Sequence, residues 1–216
     1  RAILSGDHLQ LPPTIISEEA GRNGLSTSIL ERAINAGVQS YLLGIQYRMT
    51  PEIAGFSSRY FYEGKLQTHA ASVPESMLFY DTAGAGFEEK RQENSRSTNN
   101  PEELRIVAEN AEKWIENGQS AVFISPYSSQ VELAKEELKN LSVSTIDSFQ
   151  GQEADVVILS LVRSNSEGKI GFLSDYRRMN VALTRAKKKL IVIGDSSTLA
   201  NDQFYKEFVE YAEEVG

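Results

Sequence analysis

The segment Val156-Val157-Ile158-Leu159-Ser160-Leu161-Val162 is almost continuously apolar and rich in β-branched residues, and Leu190 to Ile193 repeats the pattern. A strand with one wet face alternates polar and apolar side chains, whereas one that is apolar throughout must be covered on both faces. Short runs of this kind, separated by amphipathic helices, specify a mostly parallel sheet with helices on both sides, an α/β fold. Ala121 to Ser125 supplies a further central strand.

The helices between these strands announce themselves by period and punctuation. Asn100-Pro101-Glu102-Glu103 has a cap residue, a proline at the first helical position and a carboxylate three residues after the cap. Leu104, Val107, Ala108, Ala111, Trp114 and Ile115 follow at helical spacing, and Gly118 closes the element. Val131, Ala134, Leu138 and Leu141 mark another helix face. Upstream, Ile3 and Leu4 read as the end of a buried strand. A helix is predicted from Ser26 to Asn35 with Ile29, Leu30, Ala33 and Ile34 as its stripe and Gly37 as its stop. Tyr41 to Tyr47 reads as a strand and Pro51 to Tyr62 as a helix. Residues 83–100, rich in Gly, Glu, Arg, Asn and Ser, read as a mobile loop or insertion.

Composition excludes several chemistries. With no cysteine there is no disulfide, thiolate metal site or cysteine nucleophile, and two histidines leave no histidine-rich metal site. No run of about 18 apolar residues is present to span a membrane. The net charge of −8 makes general nucleic-acid binding poor, so any such contact must be local. The chain starts Arg1-Ala2-Ile3, which reads as a cut inside a strand, and an intracellular, cytoplasmic (in a eukaryote also nuclear) setting is expected.

Four polar clusters stand beside the predicted strands, where open α/β sheets place ligands. They are Gly6 to Pro13, Gln46 to Met49, Ser144 to Asp155, and Arg177 to Lys189. The last has six basic residues in thirteen positions and no acid. Alone, each has a plain alternative: a turn, a solvated edge, a buried loop, a solvated basic helix. In this order, with Ile124-Ser125-Pro126-Tyr127 and Gln130 between them, they resemble the motifs of the C-terminal half of superfamily 1B helicases, closest to the nonsense-mediated-decay and immunoglobulin mu-binding protein 2 group.

That resemblance implies a RecA-like P-loop NTPase fold and ATP bound between two such domains. Residues 1–37 would be the remnant of the first domain with a connecting helix, and 38–216 the second domain. It implies catalytic roles for Arg48 and Arg185 on the phosphates and for Gln10 as γ-phosphate sensor. Tyr47 would pack on adenine, Glu153 would bond the ribose, and Gly151 would allow close backbone approach. Ser125 and Thr145 would hold the backbone of single-stranded DNA or RNA, with Asp7 and Arg178 structural. Gly-x-x-x-x-Gly-Lys-Ser/Thr does not occur here, so the Walker A loop and the Mg²⁺ carboxylate are expected on a preceding RecA-like partner domain, with no metal ligands among the residues present. The implied activity is ATP-dependent helicase or translocase, and the chain alone is not expected to hydrolyse ATP. Arg185→Ala in the full-length protein is expected to abolish turnover with little effect on folding. A non-catalytic binding module on a degenerate motor domain remains the alternative.

Overall fold

The computed structural model describes residues 2–15, 17–91 and 97–216. Its centre is a five-stranded sheet built from β1 (Met77–Asp81), β2 (Ala121–Ser125), β3 (Ser142–Thr145), β4 (Ala154–Ser160) and β5 (Ala186–Gly194). The strand order is β1-β5-β4-β2-β3 and every pairing is parallel. Six principal helices accompany it: α1 (Ile29–Asn35), α2 (Pro51–Phe61), α3 (Pro101–Trp114), α4 (Ser128–Glu137), α5 (Tyr176–Leu183) and α6 (Gln203–Val215). This is the parallel α/β architecture that the apolar runs require. No helix among the described residues is long and apolar enough to cross a membrane.

The alternation of side chains along each strand divides the core in two. Val122, Ile124, Val157, Leu159, Leu190 and Val192 pack on one face, against α2, α5 and α6 through Ile53, Phe56, Met179, Val181, Phe204 and Phe208. Phe123, Val156, Ile158, Ile191 and Ile193 face the other way, onto Leu104, Val107 and Trp114 of α3 and Ala134 of α4. Each fully buried aliphatic side chain of this kind contributes roughly 1.5–3 kcal/mol. That is why Val156 to Leu159 of β4 and Leu190 to Ile193 of β5 carry no polar residue.

Several local expectations need correction. Asn100 does cap α3, its side chain accepting the Glu103 N–H at 3.4 Å. Glu103 does not reach back to the cap; its carboxylate turns into the core toward Ser160 and Val162. β4 stops at Ser160 because Val162 adopts φ 70°, a left-handed conformation outside any strand. β5 starts earlier than its apolar run, since Lys187 and Lys188 sit 3.5 and 3.4 Å from the Asp155 carboxylate of β4.

The amino-terminal part differs most. Ile3 is 97% exposed, Leu4 is also exposed, and neither lies in a strand, because no strand of the described residues runs beside them. Of Tyr41 to Tyr47 only Ile45–Gln46 is a strand, paired in parallel with Gln67–Thr68. Within the expected loop at 83–100, Lys90–Arg91 pairs antiparallel with Thr98–Asn99, and residues 92–96 lie outside the described residues.

Candidate functional site

A cleft of 1230 Å³ runs between the segment 2–10, α1, the stretch 38–49 and the amino ends of β4 and β5. Gln10, Tyr47, Arg48, Glu153 and Arg185 all line it. Residues scattered through the sequence are thus brought to one place. Glu153 and Arg185 immediately precede β4 and β5, so this cleft lies at the amino ends of those strands. The expected position beyond the carboxyl ends does not hold for them.

Gln46 builds the turn that presents Tyr47 and Arg48. Its Oε1 accepts the backbone N–H groups of Arg48 and Met49, both at 2.8 Å. Its Nε2 donates to Met49 O at 2.9 Å and to Thr68 Oγ1 at 2.6 Å. With all its polar capacity spent on the turn, Gln46 is a positioning residue. Tyr47 is left 71% exposed, its ring tilted against His69 at a centroid distance of 4.9 Å.

Two guanidinium groups converge at Thr184, the residue that caps α5. Arg48 Nη1 donates to Thr184 O at 3.1 Å, and Arg185 Nη2 donates to Thr184 Oγ1 at 2.9 Å. Arg48 also pairs with Glu153 at 2.5 Å. Arg185 is buried and donates twice more, to Val181 O at 2.9 Å and to Gln152 O at 3.2 Å. Burial, and then the neighbouring Arg48 charge, push the Arg185 guanidinium down to about 10. Two cations stand close together here, with Glu153 paired to Arg48 and both Glu153 and Asp7 within electrostatic reach of Arg185, and a planar fork of donors on each suits an added anion. The same bonds tie Arg185 to the end of α5 and to the segment before β4, so its side chain also serves the fold. Removing the side chain takes a donor from Gln152 O, while Val181 O still accepts from the Thr184 N–H and hydroxyl and the Thr184 hydroxyl still donates to Asn180 O.

Gln10 is set by Asp7. Its Nε2 donates to Asp7 Oδ2 at 2.9 Å, while the Leu9 N–H donates to Asp7 Oδ1 at 3.0 Å. The Tyr62 hydroxyl donates to Asp7 Oδ2 as well. Asn180 of α5 donates from Nδ2 to Tyr62 Oη and to Leu9 O, each at 3.0 Å. Burial first, then the bond to Asp7, raises the Tyr62 phenol far above its ordinary value. Asp7 thus orients the loop that carries Gln10. Tyr62 escaped sequence reasoning, and Gln46 and Asn180 fell within the polar clusters without a role of their own, because no motif position called for the hydrogen bonds they make here.

The remaining expected residues lie outside this cleft. Ser125 is fully buried at the end of β2; its Oγ donates to Ser160 O at 3.0 Å and accepts the Tyr127 N–H at 3.3 Å. Thr145 is half-buried at the carboxyl end of β3, its Oγ1 bonded to Ser148 Oγ at 2.9 Å and accepting the Ser148 N–H at 3.1 Å. Gly151 has φ 81° and open space where a Cβ would project, so the turn itself, and no close neighbour, calls for glycine. Arg178 grips Asp147 at 3.0 Å and Asp175 at 2.7 Å and lies over the Phe172 ring at 4.0 Å. Among the described residues no group of three His, Cys, Asp or Glu side chains is placed to hold a metal.

A family model described as AAA domain matches residues 25–197. The chain belongs to that family. DNA-binding protein SMUBP-2 of Rattus norvegicus is 39% identical over 243 residues, covering 100% of this chain and 24% of that protein. Helicase sen1 of Schizosaccharomyces pombe is 34% identical over 240 residues, covering 98% of this chain and 14% of that protein. A regulator of nonsense transcripts 1 homolog of Drosophila melanogaster is 33% identical over 239 residues, 97% of this chain and 20% of that one. The chain thus spans about a quarter or less of the length of these curated relatives. With this AAA family and relatives so named, the superfamily 1B resemblance read from the motifs holds, and this is a helicase-family domain.

Proposed function

We propose that this chain is the second motor domain of an ATP-dependent helicase or translocase that acts on single-stranded DNA or RNA. The observation that carries the reading is the meeting of Arg48 and Arg185 at Thr184, inside the cleft that also holds Gln10 and Tyr47. Phosphoryl transfer needs positive charge where the phosphate oxygens gather charge, and a planar, permanently charged fork serves this best. Arg48 and Arg185 act as the arginine fingers, a contribution of about 10³–10⁵ in rate in enzymes that use one.

The rest of the cleft fits a nucleotide. Tyr47, exposed and backed by His69, offers a ring face to the adenine. Gln10 reports on the γ-phosphate. Glu153 holds Arg48 until a more highly charged phosphate competes for it, and its carboxylate is then free for the ribose. Gly151 shapes the turn leading to Glu153. The phosphate loop and the carboxylate that binds Mg²⁺ belong to a preceding RecA-like domain, which also covers Ile3, Tyr41 and Leu43, left exposed here. When bound, ATP with Mg²⁺ supplies the transferable phosphoryl group. Thr145, at the carboxyl end of β3, contacts the strand, and the buried Ser125 hydroxyl shapes that end of the sheet from within.

The test is ATP turnover by the full-length parent with single-stranded DNA and with single-stranded RNA, beside the 216-residue chain alone. Strand-stimulated turnover by the parent and background turnover by the chain are expected. Strand binding without turnover would favour a non-catalytic binding module, and robust turnover by the chain alone would refute its dependence on a partner domain.

A further inference from the structure

We infer that the Tyr62 hydroxyl, clamped between Asp7 and Asn180, is a positioning element that couples the Gln10 loop to the two arginine-bearing segments. The inference rests on the motor-domain reading above.

Tyr62 caps the carboxyl end of α2, and Arg48 lies just before the amino end of the same helix. Asn180 belongs to α5, whose cap Thr184 leads directly into Arg185. Tyr62 is buried, and its hydroxyl has one donor and an acceptor side. The donor goes to Asp7 Oδ2, the same oxygen that receives Gln10 Nε2 at 2.9 Å. The acceptor side takes Asn180 Nδ2 at 3.0 Å.

The orientation of the Asn180 amide is dictated by its surroundings. Its Nδ2 also donates to Leu9 O at 3.0 Å, and a flipped amide would set oxygen against that carbonyl oxygen. Its Oδ1 is buried without a hydrogen-bond partner among the described residues. An orphaned buried acceptor is costly, and the two bonds from Nδ2 offset that cost. A chain of directed bonds therefore runs from Gln10 through Asp7 and Tyr62 to Asn180. A shift of Gln10 toward a phosphate pulls on α2 and α5 together. Tyr62 lines the cleft, but its hydroxyl is bonded to Asp7 and Asn180 and to neither guanidinium, so its part is positioning and not catalysis.

Tyr62→Phe removes the hydroxyl and keeps the ring. In the full-length parent the expected result is a fall in kcat of about tenfold with KM for ATP changed less than about threefold, in a protein that still unfolds cooperatively. Asn180→Ala should have a similar effect, and the double variant should be no worse than the single ones, because both act through one bridge. Normal kcat in Tyr62→Phe, or additive losses in the double variant, would overturn the inference. A parent without strand-stimulated turnover would refute the motor reading instead. Residue-resolved hydrogen exchange on the 216-residue chain then still decides the coupling. In Tyr62→Phe the Leu9 and Gln10 amides should exchange about tenfold faster, while the Arg48 amide, held by Gln46, stays unchanged. Unchanged exchange at Leu9 and Gln10 would refute it.

Discussion

The Glu103 carboxylate accepts the Val162 backbone N–H at 3.1 and 3.2 Å, and Val162 is held there at φ 70°. A β-branched residue in that region costs about 1–3 kcal/mol. Glu103 lies fully buried, bonded also to the Ser160 hydroxyl, with no cation paired to it among the described residues. The end of β4 is thus pinned by an acid that the interior prefers neutral.

Burial pushes the Glu103 carboxyl up to about 8, against about 4.3 for a free glutamate. The folded chain therefore holds this proton more tightly than the unfolded chain does. The contribution is complete below the unfolded value and is lost as pH rises through about 8. Glu103→Gln keeps the shape and removes the titration. Urea midpoints at pH 5 and pH 9 should show the native chain losing a few kcal/mol relative to Glu103→Gln, on the order of the linkage expected for such a shift. Parallel behaviour of the two proteins would contradict this.

Arg185→Ala should act on both stability and chemistry. Loss of its three hydrogen bonds should destabilise the 216-residue chain by about 1–3 kcal/mol in chemical denaturation. In the parent, ATP turnover should fall by about 10³ or more. Arg185→Lys should recover little of either, since an ammonium lacks the fork that spans Val181, Gln152 and Thr184. A lysine variant with native turnover would argue against the finger role.

Gly151→Ala should cost about 1 kcal/mol by the strain of a left-handed backbone, with no clash to add to it. Gly151→Asn should recover part of that loss, because asparagine tolerates this conformation better. Equal stability of the native, alanine and asparagine chains would mean the turn relaxes freely.

The core was legible at the centre of the sheet, while β1 at Met77 to Tyr80 and helix α6 went unread. Val156 to Ser160 and Leu190 to Ile193 are strands buried on both faces, and the Asn100 cap and Gly37 stop stand where punctuation put them. β3 was not legible, because Ser142, Ser144 and Thr145 on an edge strand carry no apolar signature. Ile3, Leu4 and Tyr41 to Leu43 misled for the opposite reason. Their apolar character predicts buried strands, but the described residues offer no sheet beside them to join. In the site, Gln10, Tyr47, Arg48, Glu153 and Arg185 were named from their motif positions and share one cleft. The neutral amide and phenol groups of Gln46, Tyr62 and Asn180, which hold them, came only with the three-dimensional arrangement.

Helix α5 has eight residues and so is about 12 Å long. Arg178 near its beginning is clamped to Asp147, on the crossover that follows Thr145, and its last turn delivers Arg185 to the cleft. So short a rod has no room to bend. Under the motor reading it works as a crank: displacement at the strand-facing end arrives at the phosphate-facing end almost undiminished, and the stroke is set by the stiffness of one helix.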